Sequence, residues 1–444
     1  MNPLNNIGRL TYTMFVLLTV VAASSLGHVP AAQPHSAYAD ASITVTVPKA
    51  LSCCDVSTNR MYALFEKSHP NVKLVTVNIN PNNLTAALIA GNAPDLIQVD
   101  PGTAKTYFKA GYTLALNQYY QQFGWDKKFF KAESSAFLVN GQYSGIPYDL
   151  EGIILLYNQA MFQKNGWQVP TDYNHLVSLS QTMQKQGIMP FAYGDSDCQA
   201  CDEFWISTIV NTVLGVQGAK QLWSGNISWT DPRVEAGLTR FVNYYQQGYI
   251  TAKKSFAVSS SGANTLFFRQ KAAMQINGTW TLGTYPPSPK APFPVGYAYF
   301  PSWLPSFNGK PVIPLGTGGG WEINAKAKHP ELVAALLNEF FNPQVQLDMV
   351  NQGAPEPTNV DYTKVKVPQT MQSGLNLMTD ANKFGNAGYV DYAWASPSVV
   401  TQLETNVAAL YLGKTSVAAW CAQTEAGKLK DAKAGTLVPL ADFS

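Results

Sequence analysis

Charge is what this chain has least of. Asp, Glu, Lys and Arg make up 13% of its 444 residues, well under the usual ~25%, and they balance to a net charge of +2. A nearly neutral chain offers nucleic acid or an anionic membrane no electrostatic reason to bind. Neither GxGxxG nor GxxxxGK[ST] occurs, so the backbone cradles that hold nucleotide phosphates have little support. None of the 5 histidines stands close to Cys198-Gln199-Ala200-Cys201, where a zinc site of that spacing would want further ligands. Beyond the N-terminal region no apolar run is long enough to cross a membrane. What the chain does have is aromatic surface: 12% Phe, Trp and Tyr, with 10 Trp and 22 Tyr. Together with abundant Asn, Gln and Gly, that suits neutral polar ligands with apolar faces, sugars foremost, or else a core rich in rings.

The N-terminus has the form of an export signal. Arg9 is the only charged residue before Asp40, Met14 to Ala23 is an apolar run of signal length, and Ala37-Tyr38-Ala39 offers an A-x-A cleavage site. Residues 1–39 are therefore expected to be a signal peptide, cleaved or retained as an anchor, and no cysteine follows the apolar run to take a lipid. The destination is a periplasm, a cell surface or the medium. Five cysteines would then meet an oxidising compartment, where Cys198 and Cys201 are read as a local disulfide. The odd count leaves a thiol over, and the pairing of Cys53, Cys54 and Cys421 stays open.

Alternation over Ile43–Val47, a helical stretch through Met61, Leu64 and Phe65, a strand over 72–79, a helix over Leu84–Ala90 and a strand at Leu96–Val99 read as βαβαβ. That pattern implies a parallel sheet whose ligands sit beyond the strands' carboxyl ends, here at Ser52 to Asp55 and at Asp100. The stretch from Gly141 to Asn158 organises the rest. It is a short strand, then Pro147-Tyr148-Asp149-Leu150-Glu151, then the apolar, β-branched run from Ile153 to Tyr157. An extended passage between two domains would carry Tyr148, Asp149 and Glu151 across the gap, with Asp149 and Glu151 pointing the same way. Residues 285–314 hold nine prolines among seven aromatics, too aromatic for a disordered linker. Gly316-Thr317-Gly318-Gly319-Gly320 reads as a close backbone approach or hinge.

In order along the chain, Phe65-Glu66-Lys67 with Pro70-Asn71-Val72-Lys73, Gly91-Asn92-Ala93-Pro94-Asp95-Leu96, the Gly141–Asn158 stretch, Gly187-Ile188-Met189-Pro190-Phe191, Phe267…Lys271-Ala272-Ala273-Met274…Gly278-Thr279-Trp280 and Leu412-Gly413-Lys414-Thr415-Ser416-Val417 resemble one family. It is the extracellular solute-binding proteins of carbohydrate importers of the ATP-binding-cassette class, which includes maltose-binding protein. Gln270 replaces a glycine of the fifth motif. The resemblance implies an α/β, two-lobe periplasmic-binding-protein-like (type II) fold. Each lobe would be a mixed, mostly parallel sheet flanked by helices, joined by a three-crossing hinge near Pro147–Gly152, Trp280–Thr284 and Gly318–Ile323. It places lobe 1 at 42–148 plus 281–320 and lobe 2 at 149–280 plus 321–444. It implies a monomer that binds a carbohydrate, docks on membrane permease subunits, needs no cofactor and catalyses nothing.

By position in the family, Glu151 is the expected cleft carboxylate and Trp280 the stacking indole. Tyr148, Asp100, Tyr193, Asp195, Ser52, Trp321 and Trp394 are the other expected ligand contacts. Sugars need both kinds of group, flat rings against C–H faces and carboxylates for pairs of hydroxyls. Rival readings are a polyamine, a phosphorylated polyol, ferric iron through Tyr119-Tyr120 or Tyr244-Tyr245, and a glycoside hydrolase using Glu151 with Asp195.

Overall fold

The computed structural model describes residues 42–50, 55–78, 81–197, 203–282, 292–304, 311–352, 369–383, 385–438 and 440–441. The expected signal over 1–39, Ser52, Cys53, Cys54 and the Cys198–Cys201 pair lie outside them. Cys421 is a buried free thiol, which burial pushes up to about 12.

Strands in the first half of the chain are β1 (Ile43–Pro48), β2 (Val72–Val77), β3 (Leu96–Val99), β4 (Leu138–Val139), β5 (Gln142–Tyr143), β6 (Ile146–Pro147) and β7 (Glu151–Asn158). The second half adds β8 (Met189–Ala192), β9 (Ala272–Gly278), β10 (Val295–Ala298), β11 (Ile313–Gly316), β12 (Gly320–Ile323) and β13 (Ala387–Tyr389). In the first lobe β1 and β2 pair in parallel, and β12 lies between β3 and β6. Thr46 of β1 donates its N–H to the Asp95 carboxylate at 2.7 Å, tying that pair to the approach of β3. In the second lobe the order is β13-β11-β7-β9-β8, with β10 also on β7. The sheets are mixed but less parallel than the crossover pattern implied. β7 and β12, the strands that continue out of the crossings, run antiparallel to every partner they have.

β7 is the spine of the larger core. Its Ile153–Leu156 run is wholly buried, as a strand covered on both faces should be. Around it pack Trp205, Phe241, Phe300 and Trp303. A separate core holds Phe65, Trp125, Tyr148, Trp321 and Phe340. Helix Glu203–Trp223 is the long buried helix expected near Phe204, and Gly215 at φ 71° breaks its helical path.

The expected lobe boundaries need correcting in two segments. The resemblance places residues 281–320 in lobe 1, yet β10 and β11 hydrogen-bond to β7 of the second sheet. It places residues from 321 on in lobe 2, yet β12 pairs with β3 and β6. Helix Pro343–Asn351 then lies on helix Asp55–Ser68, through an Arg60–Asp348 ion pair and a bond from Ser57 N–H to Gln352. No crossing occurs at Trp280, because β9 and β10 flank the same strand. The chain instead returns to the second lobe between residue 352 and helix Gln369–Lys383, whose Leu377 carbonyl accepts from Tyr299 Oη. Rings among prolines announce burial but not which sheet they are buried on.

Gln270 explains itself by its backbone. It sits at φ 57°, the left-handed region where the resembling family places glycine. A side chain there costs ~1–2 kcal/mol, partly offset by the freedom glycine loses on folding. Gln270→Gly should therefore raise stability by about 0.5–1 kcal/mol in urea unfolding. Gly320→Ala should lower it, because a Cβ there meets the Phe137 ring and stands 2.7 Å from the Ile146 carbonyl.

Candidate functional site

Two crossing segments meet between the lobes and are zipped together. Gly316 pairs with Glu151, Gly320 with Pro147, and Tyr148 N–H donates to the Gly319 carbonyl at 3.0 Å. Asp149 fastens the middle. Its Oδ1 accepts from Gly318 N–H at 2.9 Å and Gly319 N–H at 3.3 Å, with the Thr317 hydroxyl 3.2 Å away. Burial raises the Asp149 carboxyl, and the bonds from Glu151, Gly318, Gly319 and Thr317 hold that rise back. At Gly318 a Cβ would displace the Glu151 carboxylate.

Glu151 opens β7 and is only half-buried. From it a circuit of side chains can be followed. Tyr392 Oη donates to Glu151 Oε2 at 3.2 Å. Tyr392 follows Asp391 at the start of helix Asp391–Trp394, where β13 has just ended. Asp391 lies against Glu203, and burial foremost raises both carboxyls, Asp391 to about 7. Phe204, the next residue, packs 5.4 Å from the Trp280 ring. Trp280 follows Thr279, whose hydroxyl accepts from Gly152 N–H at 3.0 Å, closing the circuit beside Glu151. Trp280 is half-buried and lies so close over Gly278 that no Cβ fits there.

The circuit forms where β3, β9, β11 and β13 end and β7 begins, the edge where α/β sheets present ligand-binding loops. From the first lobe, Asp100 caps helix Pro101–Lys109 through Thr103 N–H at 2.8 Å, and its charge acts on Glu203 and Glu404. Lys105 of that helix is pushed down to about 8 by burial, against the pull of Asp100. Glu133, on helix Lys131–Ser135, has no exposure and no hydrogen-bond partner for either oxygen. Burial first, then Asp149, raises it well above the usual carboxylate range.

Not every expected contact belongs here. Trp321 is wholly buried against Tyr148, with ring centroids 5.3 Å apart, and both are core of the first lobe. Trp394 is wholly buried too, its Nε1–H aimed at the Leu315 carbonyl at 3.4 Å. Tyr193 packs edge-on to Trp205 in the second core, and Asp195 is 8% exposed on a loop laid against Ser255 and Val258. Tyr119-Tyr120 and Tyr244-Tyr245 are buried, Tyr120 stacked on Tyr143 at 3.9 Å and Tyr244 bonded to Ser180, which leaves neither pair open to iron. Among the described residues no group of His, Cys, Asp or Glu converges to hold a metal, and no helix is long and apolar enough to cross a membrane.

Sequence reasoning missed Glu133, Glu203, Asp391 and Tyr392. Val390-Asp391 had the signal that drew attention to Val99-Asp100, a strand ending on a carboxylate. Glu133, in Ala132-Glu133-Ser134-Ser135, had none.

The model of one family, bacterial extracellular solute-binding proteins, matches residues 60–373. The chain belongs to that family. This solute-binding protein is 22% identical over 338 residues to a probable sugar-binding periplasmic protein of Mesorhizobium japonicum, covering 74% of this chain and 78% of the relative. It is 25% identical over 265 residues to the maltodextrin-binding protein MdxE of Bacillus subtilis, covering 57% and 58%. In fold it resembles a chitin oligosaccharide binding protein with a TM-score of 0.74 at 20% identity, covering 88% of this chain and 98% of that one. RafE in complex with raffinose superposes with a TM-score of 0.66 at 18% identity, covering 87% and 98%. The fold is therefore the two-lobe, type II binding-protein fold.

Two measurements follow from the site's energetics. Asp149→Ala strands the Gly318 and Gly319 N–H groups and should cost about 2–3 kcal/mol in unfolding, with Asp149→Asn, which keeps an acceptor, costing less. The buried carboxyls set the pH dependence. Their folded values are raised, so the folded chain holds protons that the unfolded chain releases. The stability they confer is whole below about pH 4, the unfolded value. It is lost as pH rises through about 7, where Asp391 titrates in the folded chain. The melting temperature of the ligand-free protein should fall between about pH 5 and pH 8, and more shallowly in Glu203→Gln.

Proposed function

We propose that this chain is the exported substrate-binding component of an ATP-binding-cassette importer, taking a sugar or oligosaccharide between its lobes and handing it to membrane permease subunits. The observation that carries the reading is the circuit from Glu151 through Tyr392, Asp391 and Glu203 to Phe204 and Trp280. It sets carboxyl and hydroxyl groups beside a half-buried indole at the lobe junction, the pairing that hydroxyl-rich, ring-shaped ligands need. The names of the relatives, sugar-binding and maltodextrin-binding proteins, support the same cargo class. Glu151 rather than Asp149 is the carboxylate offered to the ligand, because Asp149 is occupied by the opposing segment. Trp280 stacks on a sugar face, and Asp100 flanks the entry from the first lobe. The protein works as a monomer in a periplasm or at a cell surface, has no catalytic activity, and needs no cofactor.

The test is tryptophan fluorescence and thermal shift against a panel of mono- and oligosaccharides, with the best binder then incubated and its products analysed. Binding without turnover is expected. Cleavage would transfer the protein to the hydrolases, and a response only to polyamines or peptides would overturn the cargo. Trp280→Ala should weaken the best sugar by ~1–3 kcal/mol, while Trp394→Phe should leave affinity unchanged.

A further inference from the structure

A position demands glycine for one of two reasons, a left-handed backbone or a neighbour that leaves no room for a Cβ. Gly278 and Gly318 do not have the first. Neither lies in the left-handed region, and Gly278, at φ −103° and ψ 168°, is extended backbone that any residue adopts. The second reason takes an unusual form at both. At Gly145 and Gly194 a Cβ would press on backbone carbonyls, which have nowhere to go. At Gly278 the three nearest atoms all belong to the six-membered ring of the Trp280 indole, and at Gly318 all three belong to the Glu151 carboxylate. The free end of a side chain can move aside to another rotamer. A methyl group at either position therefore displaces a side chain and spares the strand.

The two side chains so seated are neighbours. Ile153 pairs with Gly278, Gly152 N–H donates to the Thr279 hydroxyl at 3.0 Å, and Glu151 and Trp280 are the next residue on each segment. Both are half-buried. Each is met by a further side chain: the Phe204 ring stands 5.4 Å from the indole at 54°, and Tyr392 Oη donates to Glu151 Oε2 at 3.2 Å.

We propose that Gly278 and Gly318 are specificity-determining positions, glycine so that the Trp280 indole and the Glu151 carboxylate can lie across their Cα atoms in the pose that meets a sugar. This rests on the sugar-binding reading and names what sets the geometry of that site. A ring that stacks on a C–H face and a carboxylate that takes hydroxyls serve one ligand only when their separation and tilt are fixed beforehand, and a group held on two sides is fixed in that way. Phe204 and Tyr392 complete the two seats. Alanine at 318 keeps the N–H that Asp149 accepts, so the seam between the crossings survives the change.

Calorimetry on the purified protein with maltotriose, cellotriose, raffinose and triacetylchitotriose would compare Gly278→Ala and Gly318→Ala with the parent. Each should weaken the tightest of these sugars about fivefold or more, with a melting temperature within about 5 °C of the parent. In a Trp280→Ala background Gly278→Ala should change affinity less than about twofold, and so should Gly318→Ala in a Glu151→Ala background, because the group each displaces is gone. Unchanged affinity in either single variant overturns the proposal and leaves the sugar reading standing. A loss that persists in full in the truncated backgrounds, or a variant that does not fold, makes the glycine a structural requirement and overturns it too. Failure of all four sugars to bind the parent overturns the proposal together with the reading beneath it.

Discussion

Asp149 holds together the seam where two of the chain's passages between the lobes run side by side. Its carboxylate takes two N–H groups from the glycine segment that crosses in the opposite direction, and backbone pairing at Gly316–Glu151 and Gly320–Pro147 continues the seam on either side. Two antiparallel extended segments resist being pulled apart or slid, yet they bend and twist at small cost. Whatever motion the lobes make, the seam therefore conserves the register of β7 and β12, the strands that begin at it. The hydrogen-bonded side chains at the junction are positioned from β7 and the strands beside it. Glu151 is the first residue of β7, Trp280 is held by β9 on its flank, and Asp391 and Tyr392 follow β13, one strand further out through β11.

Much of this was legible in the residues. Tyr148-Asp149-Leu150-Glu151 announced itself because a proline, two carboxylates and a buried-strand run follow one another, and only an extended passage accommodates that order. The glycine run at 316–320 announced a close approach, and the structure supplies the atoms approached, the Glu151 carboxylate and the Phe137 ring. Trp280 was found through the motif that ends on it. What stayed hidden depended on partners distant in sequence. Trp321 beside the glycines is indistinguishable by composition from a ligand-stacking indole, and only the pairing of β12 with β3 turns it inward. The exchange of segments 295–316 and 320–352 between lobes was illegible for the same reason. An apolar strand carries its own face pattern, but not the identity of the sheet that completes it.

The hidden carboxyls raise an energetic point that the visible ones do not. Asp149 is buried but bonded, so it costs little and stabilises the seam. Glu133 is buried and unbonded, and Glu203 and Asp391 are buried against each other. Groups so placed weigh against the compact arrangement in proportion to their ionisation, and burial answers by keeping them protonated. Two lobes that come together over such groups are stabilised by protons or by a ligand, and the two are thermodynamically equivalent ways of removing the same penalty.

That equivalence bears on how a binding protein stays empty until its cargo arrives. A junction lined by well-matched groups would close by itself, and a closed empty form would compete with the loaded one for the same docking surface. A buried carboxyl without a partner, as at Glu133, weighs against the arrangement that buries it to the extent that it ionises. A ligand shifts the balance only by the difference in its affinity for the two forms. Glu133 carries that cost as a buried carboxyl whose oxygens have no hydrogen-bond partner, whereas Asp391 accepts from Tyr392 N–H at 3.0 Å. The tether at Asp149, satisfied from within the chain, lets the lobes bear that penalty without coming apart.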